Sequence, residues 1–194
     1  MKKILFGLIA MVMLGFVGNA QEKTSKEEWS KMMDEVKIYT EEILRSECPK
    51  DMDFKIFKSR IFNGEIKLSK GATEKLISLS SPLKSYGKEF AVANNLNTAD
   101  DNELIFYATF SPDVTISDKG IIQFPPSYGF TTNSVIDCAL GALGLDFLYG
   151  SAFEGAVGWG IKAITRAFTR IAIRMLGPVG VLIAVVEFTR CLTH

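Results

Sequence analysis

The residues with the most chemistry to offer are four cations at four-residue spacing: Lys162, Arg166, Arg170 and Arg174. At about 100° per residue they fall within an arc of roughly 120° on one helix. Ile161, Ile164, Phe168, Ile171 and Met175 take the opposite side. Such a row suits anion binding. Three like-charged i,i+4 neighbours cost roughly 0.2–0.5 kcal/mol each in an isolated helix, so an offset is needed. An anionic lipid surface supplies one. Acidic residues elsewhere in the chain supply another. The plainest alternative is a solvated basic face whose apolar side packs on neighbouring helices.

Catalysis has much less to draw on. The only histidine, His194, is the last residue, where a general base would have to fold back from a fraying end. The sequence carries no His/Cys or Ser/His/Asp set, no His-based metal site, no Gly-rich phosphate loop and no nucleophile elbow. The acidic pairs Glu41/Glu42 and Asp100/Asp101 read as solvated surface. The expectation is a non-enzymatic protein with no cofactor and no metal.

Three cysteines offer one cross-link and one leftover thiol in an oxidising compartment. Cys138 and Cys191 flank the apolar C-terminal stretch and are the favoured pair. Cys48 would then be free or join two molecules. All three staying reduced is the alternative. An oxidising destination fits the start of the chain, where Lys2 and Lys3 precede an apolar run at 4–17, with Gly18 and Ala20 as small residues before Gln21. Residues 1–20 read as a cleaved secretory signal, placing the protein outside the cell or in the periplasm. Lys and Arg number 22 in all; without Lys2 and Lys3 they number 20, against 22 acidic residues. Near-neutral charge argues against a nucleic-acid partner.

The elements that must position these groups follow from periodicity. Ser25 with Glu28 forms a capping box, and Trp29, Met32, Val36 and Ile43 recur at helical spacing until Cys48 precedes Pro49. Residues 53–68 are ambiguous between helix (Phe54, Phe57, Ile61) and a short strand (Ile66, Leu68). Residues 72–79 read as a helix, and Ser81 with Pro82 as the start of another. Asp100 and Glu103 cap a helix carrying Leu104 and Tyr107, although ELIFYATF would also serve as a strand. Asp118-Lys119-Gly120 is a hairpin turn. Pro125, Pro126 and Gly129 mark a linker.

After that linker three helices are expected. The first is capped by Ser134 with Asp137. The second runs from a Ser151/Glu154 capping box to Leu176, stopped by Gly177 and Pro178. The third is opened by Pro178 and is apolar all round. Ala152, Ala156 and Gly160 recur every fourth residue, a spacing that lets helices approach closely. The longest uncharged apolar run, 175–186, is 12 residues, short for a membrane span.

The pattern CALGALGL…GPVGVLIAVVEFTRC, with its small-residue spacing, cationic helix and flanking cysteines, resembles small helical Gly/Ala-rich bacteriocins. It is also similar to the tails of secreted bacterial proteins. The resemblance covers under a third of the chain and implies a membrane-active module. The organisation expected is therefore a signal at 1–20, an acidic α-rich domain with room for one small hairpin at 21–124, a linker at 125–133, and a three-helix hydrophobic module at 134–194. That module would act on anionic membranes, with the acidic front masking its basic ladder. The alternative is a non-enzymatic binding or scaffold protein of the cell envelope, built on the same helices as a soluble core.

Overall fold

The computed structural model describes residues 23–98, 100–129, 132–143 and 160–192. Over these the chain is mainly helical, with one two-stranded antiparallel hairpin.

Helix α1 (Lys26–Glu47) opens on the expected capping box: the Glu28 N–H donates to the Ser25 hydroxyl and the Ser25 N–H to the Glu28 carboxylate. Its buried stripe is Trp29, Met32, Met33, Val36, Thr40, Ile43 and Leu44. The ambiguous stretch resolves as helix α2 (Phe54–Phe62), because Asp53 accepts from the Lys55 and Ile56 N–H groups and fixes the first turn. Gly64 then turns the chain at φ +72°. Ile66 and Leu68 pack partly buried against the core without forming a strand.

The two helices expected over 72–93 are one, α3 (Lys70–Ala93), with Pro82 inside it. Proline there removes the N–H that would bond the carbonyl four residues back. The loss is tolerated because Leu76, Leu79, Leu83, Tyr86 and Phe90 form an unbroken buried stripe across it. Burying such side chains is worth about 1.5–3 kcal/mol each.

Helix α4 (Asp101–Tyr107) is the short element at the centre. Asp100 caps it by accepting from the Asn102 N–H, which selects helix over the strand that ELIFYATF also allowed. Leu104, Ile105, Phe106 and Tyr107 are all buried, as are Ala108, Thr109, Phe110 and Ser111 after it. The backbone at its C-terminal end is satisfied by its neighbours: Trp29 Nε1 of α1 donates to the Ala108 carbonyl (2.9 Å), and the Tyr86 hydroxyl of α3 to the Phe110 carbonyl (2.9 Å). Burial pushes the Tyr86 phenol well above its usual range, so it remains a donor.

Strands β1 (Thr115–Ile116) and β2 (Ile122–Gln123) pair as Thr115↔Gln123 and Ile116↔Ile122, with Gly120 at φ +76° in the expected turn. A 3-10 turn at Pro126–Tyr128 follows. Helix α5 (Thr132–Ala142) begins two residues ahead of the expected Ser134 cap. Helix α6 (Ile161–Leu176) ends at Gly177, as expected, but it starts only at Ile161, because Gly160 is extended (φ −72°, ψ 161°) and interrupts the single helix expected from Ser151. A 3-10 turn at Gly177–Val179 leads into α7 (Gly180–Leu192), so Pro178 lies in that turn and not at the first position of the last helix. The expected Ser151/Glu154 capping box lies outside the described residues, as do Ala152 and Ala156.

The division expected at 125–133 does not separate two cores. Buried residues of α1 to α4 and of α5 to α7 form one continuous cluster. Its centre is aromatic: Phe106 of α4 lies 4.7 Å from Phe168 of α6 and 5.2 Å from Phe188 of α7, ring centre to ring centre. Phe110 joins Phe90 of α3 at 5.7 Å. Nor is the 125–129 connection a free linker. The Tyr128 hydroxyl is within hydrogen-bond distance of Ser111 (3.0 Å) and Asp113 (3.2 Å), and the Lys26 ammonium lies 4.7 Å over the Tyr128 ring. Among the described residues, no helix is long and apolar enough to cross a membrane.

Candidate functional site: the cationic face of α6

Helix α6 places the four sequence-selected cations together. Lys162, Arg166, Arg170 and Arg174 are all exposed, while Ile161, Ile164, Phe168 and Ala172 opposite them are buried. Ile171 is half-buried. The row extends over about 18 Å at 1.5 Å per residue. Ala163 and Ile173 fall in the same arc and are also exposed, Ile173 at 37%, so the cationic face carries apolar atoms among its charges. Arg174 in the last turn complements the helix dipole.

The other end of α6 has no side-chain cap. Its first N–H, from Ile161, donates instead to the Gly120 carbonyl at the hairpin tip (2.7 Å). Gly160 permits this approach, since a Cβ there would sit 3.2 Å from the same carbonyl oxygen. Gly160 thus serves the hairpin contact, while Ala152 and Ala156 of the expected four-residue row lie outside the described residues.

Among the described residues, the acidic front part meets the ladder from α4 and not from α1: Glu103 of α4 pairs with Arg166 at 3.6 Å. Acidic α1 instead reaches α7. Glu41 pairs with Arg45 (2.6 Å) on its own helix and with Arg190 of α7, while Glu187 of α7 pairs with Lys58 of α2 (2.8 Å) and Arg190 (3.5 Å). Sequence reasoning missed this five-residue cluster, because Glu41 and Arg190 are 149 positions apart. It also missed Thr165 and Thr169 on the buried side of α6. Their hydroxyls donate to the Ile161 (2.8 Å) and Thr165 (2.9 Å) carbonyls, which satisfies them within the helix.

Hydrogen bonds from Arg45 and Arg190 hold the Glu41 carboxyl below its usual range. Its folded-state affinity for protons is thus lower than in the unfolded chain. The stability it adds is present above the ordinary glutamate range and is lost as pH falls from there through the depressed folded-state value. A double-mutant cycle of Glu41→Ala and Arg190→Ala should give a coupling of about 1 kcal/mol at neutral pH, because both groups are partly solvated. Urea titrations should show that coupling shrinking in high salt and disappearing in acid. A coupling unchanged by either condition would contradict an ionic origin.

Cys138 of α5 and Cys191 of α7 form the expected disulfide, with Cα atoms 5.4 Å apart. Cys48 is a free, half-buried thiol whose Sγ donates to the Met52 carbonyl (3.4 Å). Among the described residues, no group of three His, Cys, Asp or Glu side chains is placed to hold a metal ion. Comparison with protein-family models, with curated proteins and with solved structures finds no match to this chain.

Proposed function

We propose that this is an exported, non-enzymatic protein that engages anionic membrane surfaces through the cationic face of α6, a latent form of a bacteriocin-like module. The observation that carries the reading is the clean division of α6, with four cations exposed on one side and Ile161, Ile164 and Phe168 buried on the other. A disulfide in the same part of the chain suits an oxidising compartment. What the front of the molecule withholds is the apolar side of the module, not its charge. The cations can meet a surface while the protein is folded.

The test uses the oxidised protein and vesicles of phosphatidylglycerol or phosphatidylcholine. Binding should require the anionic lipid and weaken with salt. Arg170→Gln/Arg174→Gln leaves the Arg166–Glu103 pair in place. At about 1 kcal/mol per cation near an anionic surface, the pair should cost roughly thirtyfold in partitioning. Equal binding to both lipids, or no change in the double variant, would sink the reading.

A second reading has its own support. From Val181 to Val186 helix α7 is buried on every side, and Phe188 also lies inside the shared core. That favours a cell-envelope binding or scaffold protein whose apolar C-terminal helices serve only as its core. A folded protein that ignores both kinds of vesicle would select this alternative.

A further inference from the structure

The three C-terminal helices are held in very unequal ways. Helix α7 is tied by the Cys138–Cys191 bond to α5, by Arg190 to Glu41 of α1, and by Glu187 to Lys58 of α2. Helix α6 has no covalent tie. Among the described residues, its polar links to the body are the Ile161–Gly120 backbone bond, the Arg166–Glu103 pair with an Arg166 side chain 61% exposed, and the contact of Tyr107 with Thr165. Thr165 and Thr169 donate to carbonyls of α6 itself, so those two bonds travel with the helix.

Both ends of α6 are glycines. Gly177 sits at φ +66°, ψ −156°, a conformation only glycine holds without strain, and nothing lies within 4 Å of where its Cβ would be. Gly160 sits at the other end with a backbone contact as its neighbour. Positions of this kind absorb the backbone rotations of a hinge.

We propose that α6 alone swings from the core onto an anionic bilayer, turning at Gly160 and Gly177, while disulfide-joined α5 and α7 stay with the body. This rests on the membrane reading above and adds which element moves. The cations bring α6 to the surface. The bilayer then accepts Ile161, Ile164 and Phe168, replacing the burial they lose. The charge clamp on α7 and its bond to α5 hold those two helices to the body, while Phe106 and Phe188 lose the Phe168 ring that lay against them.

The experiment takes the oxidised wild-type protein with vesicles containing a phospholipid that carries a photoactivatable acyl chain. Adducts are mapped by mass spectrometry, and sedimentation of the same samples reports binding. With phosphatidylglycerol present, Ile164, Phe168 and Ile171 should carry most of the acyl adducts, and Val181–Phe188 should stay unlabelled. With phosphatidylcholine alone the α6 adducts should vanish. Sedimentation with adducts only at Ala163 and Ile173 would overturn the swing while leaving surface binding intact. Equal labelling of α6 and α7 would show the whole module opening and overturn it as well. Absence of both sedimentation and adducts would end this proposal together with the membrane reading.

Discussion

Replacing Cys138 and Cys191 together with serine should cost the folded protein about 4 kcal/mol. The bond closes a loop between residues 53 positions apart, and chain-entropy arithmetic for a loop of that length gives a figure of this size. The two ends lie in α5 and α7, which pack on each other, so opening the bond frees the unfolded chain more than it disturbs the folded one. Chemical denaturation of the double variant beside the oxidised parent measures the difference. Reducing the parent should reproduce it. A loss under about 1 kcal/mol would mean that the reduced unfolded chain already keeps these helices together. Cys48→Ser is the control and should change little, since its thiol makes no cross-link.

Gly87→Ala should be the most damaging single methyl group that can be added to α3, at about 3 kcal/mol or more. A Cβ at that position would lie 1.9 Å from the Leu104 carbonyl oxygen and 2.7 Å from its carbon. Both are backbone atoms of α4, so no side-chain rotation relieves the overlap. The helices must separate, and Phe90, Phe106 and Phe110 lose their fit along the same seam. Alanine is the better helix former by up to about 1 kcal/mol, so a measured destabilisation understates the clash. Gly71→Ala, at a position with open space around it, should by contrast be neutral or stabilising. Thermal melts of the two variants test the pair, and similar melting temperatures would refute the close approach of α3 and α4.

The sequence disclosed much of this fold because its local signals are strong. The Ser25/Glu28 box, the Asp100 cap, the Gly120 turn and the Gly177 stop all act within a few residues, and each stands where it was read. The cationic face of α6 was legible for the same reason, since one helix sets its geometry. Pro82 misled because a local breaker was overruled by a buried stripe that continues past it. The two-part division at 125–133 misled because composition changes there while the core does not. Only tertiary pairing brings Phe106, Phe168 and Phe188 together, and nothing within a short window signals it. The charge cluster joining α1, α2 and α7 escaped notice on the same grounds.

The place of α4 also bears on how the molecule is made. Its seven residues are far too few to hold a helix unaided, and one of the rings that cover Phe106 is Phe188, 82 positions further along the chain. A nascent chain therefore exposes this apolar segment until Phe188 has been made. The core closes late, through contacts of long sequence separation that form slowly. During that interval the unfinished polypeptide is a natural client for chaperones, and any truncation before residue 188 leaves it one permanently.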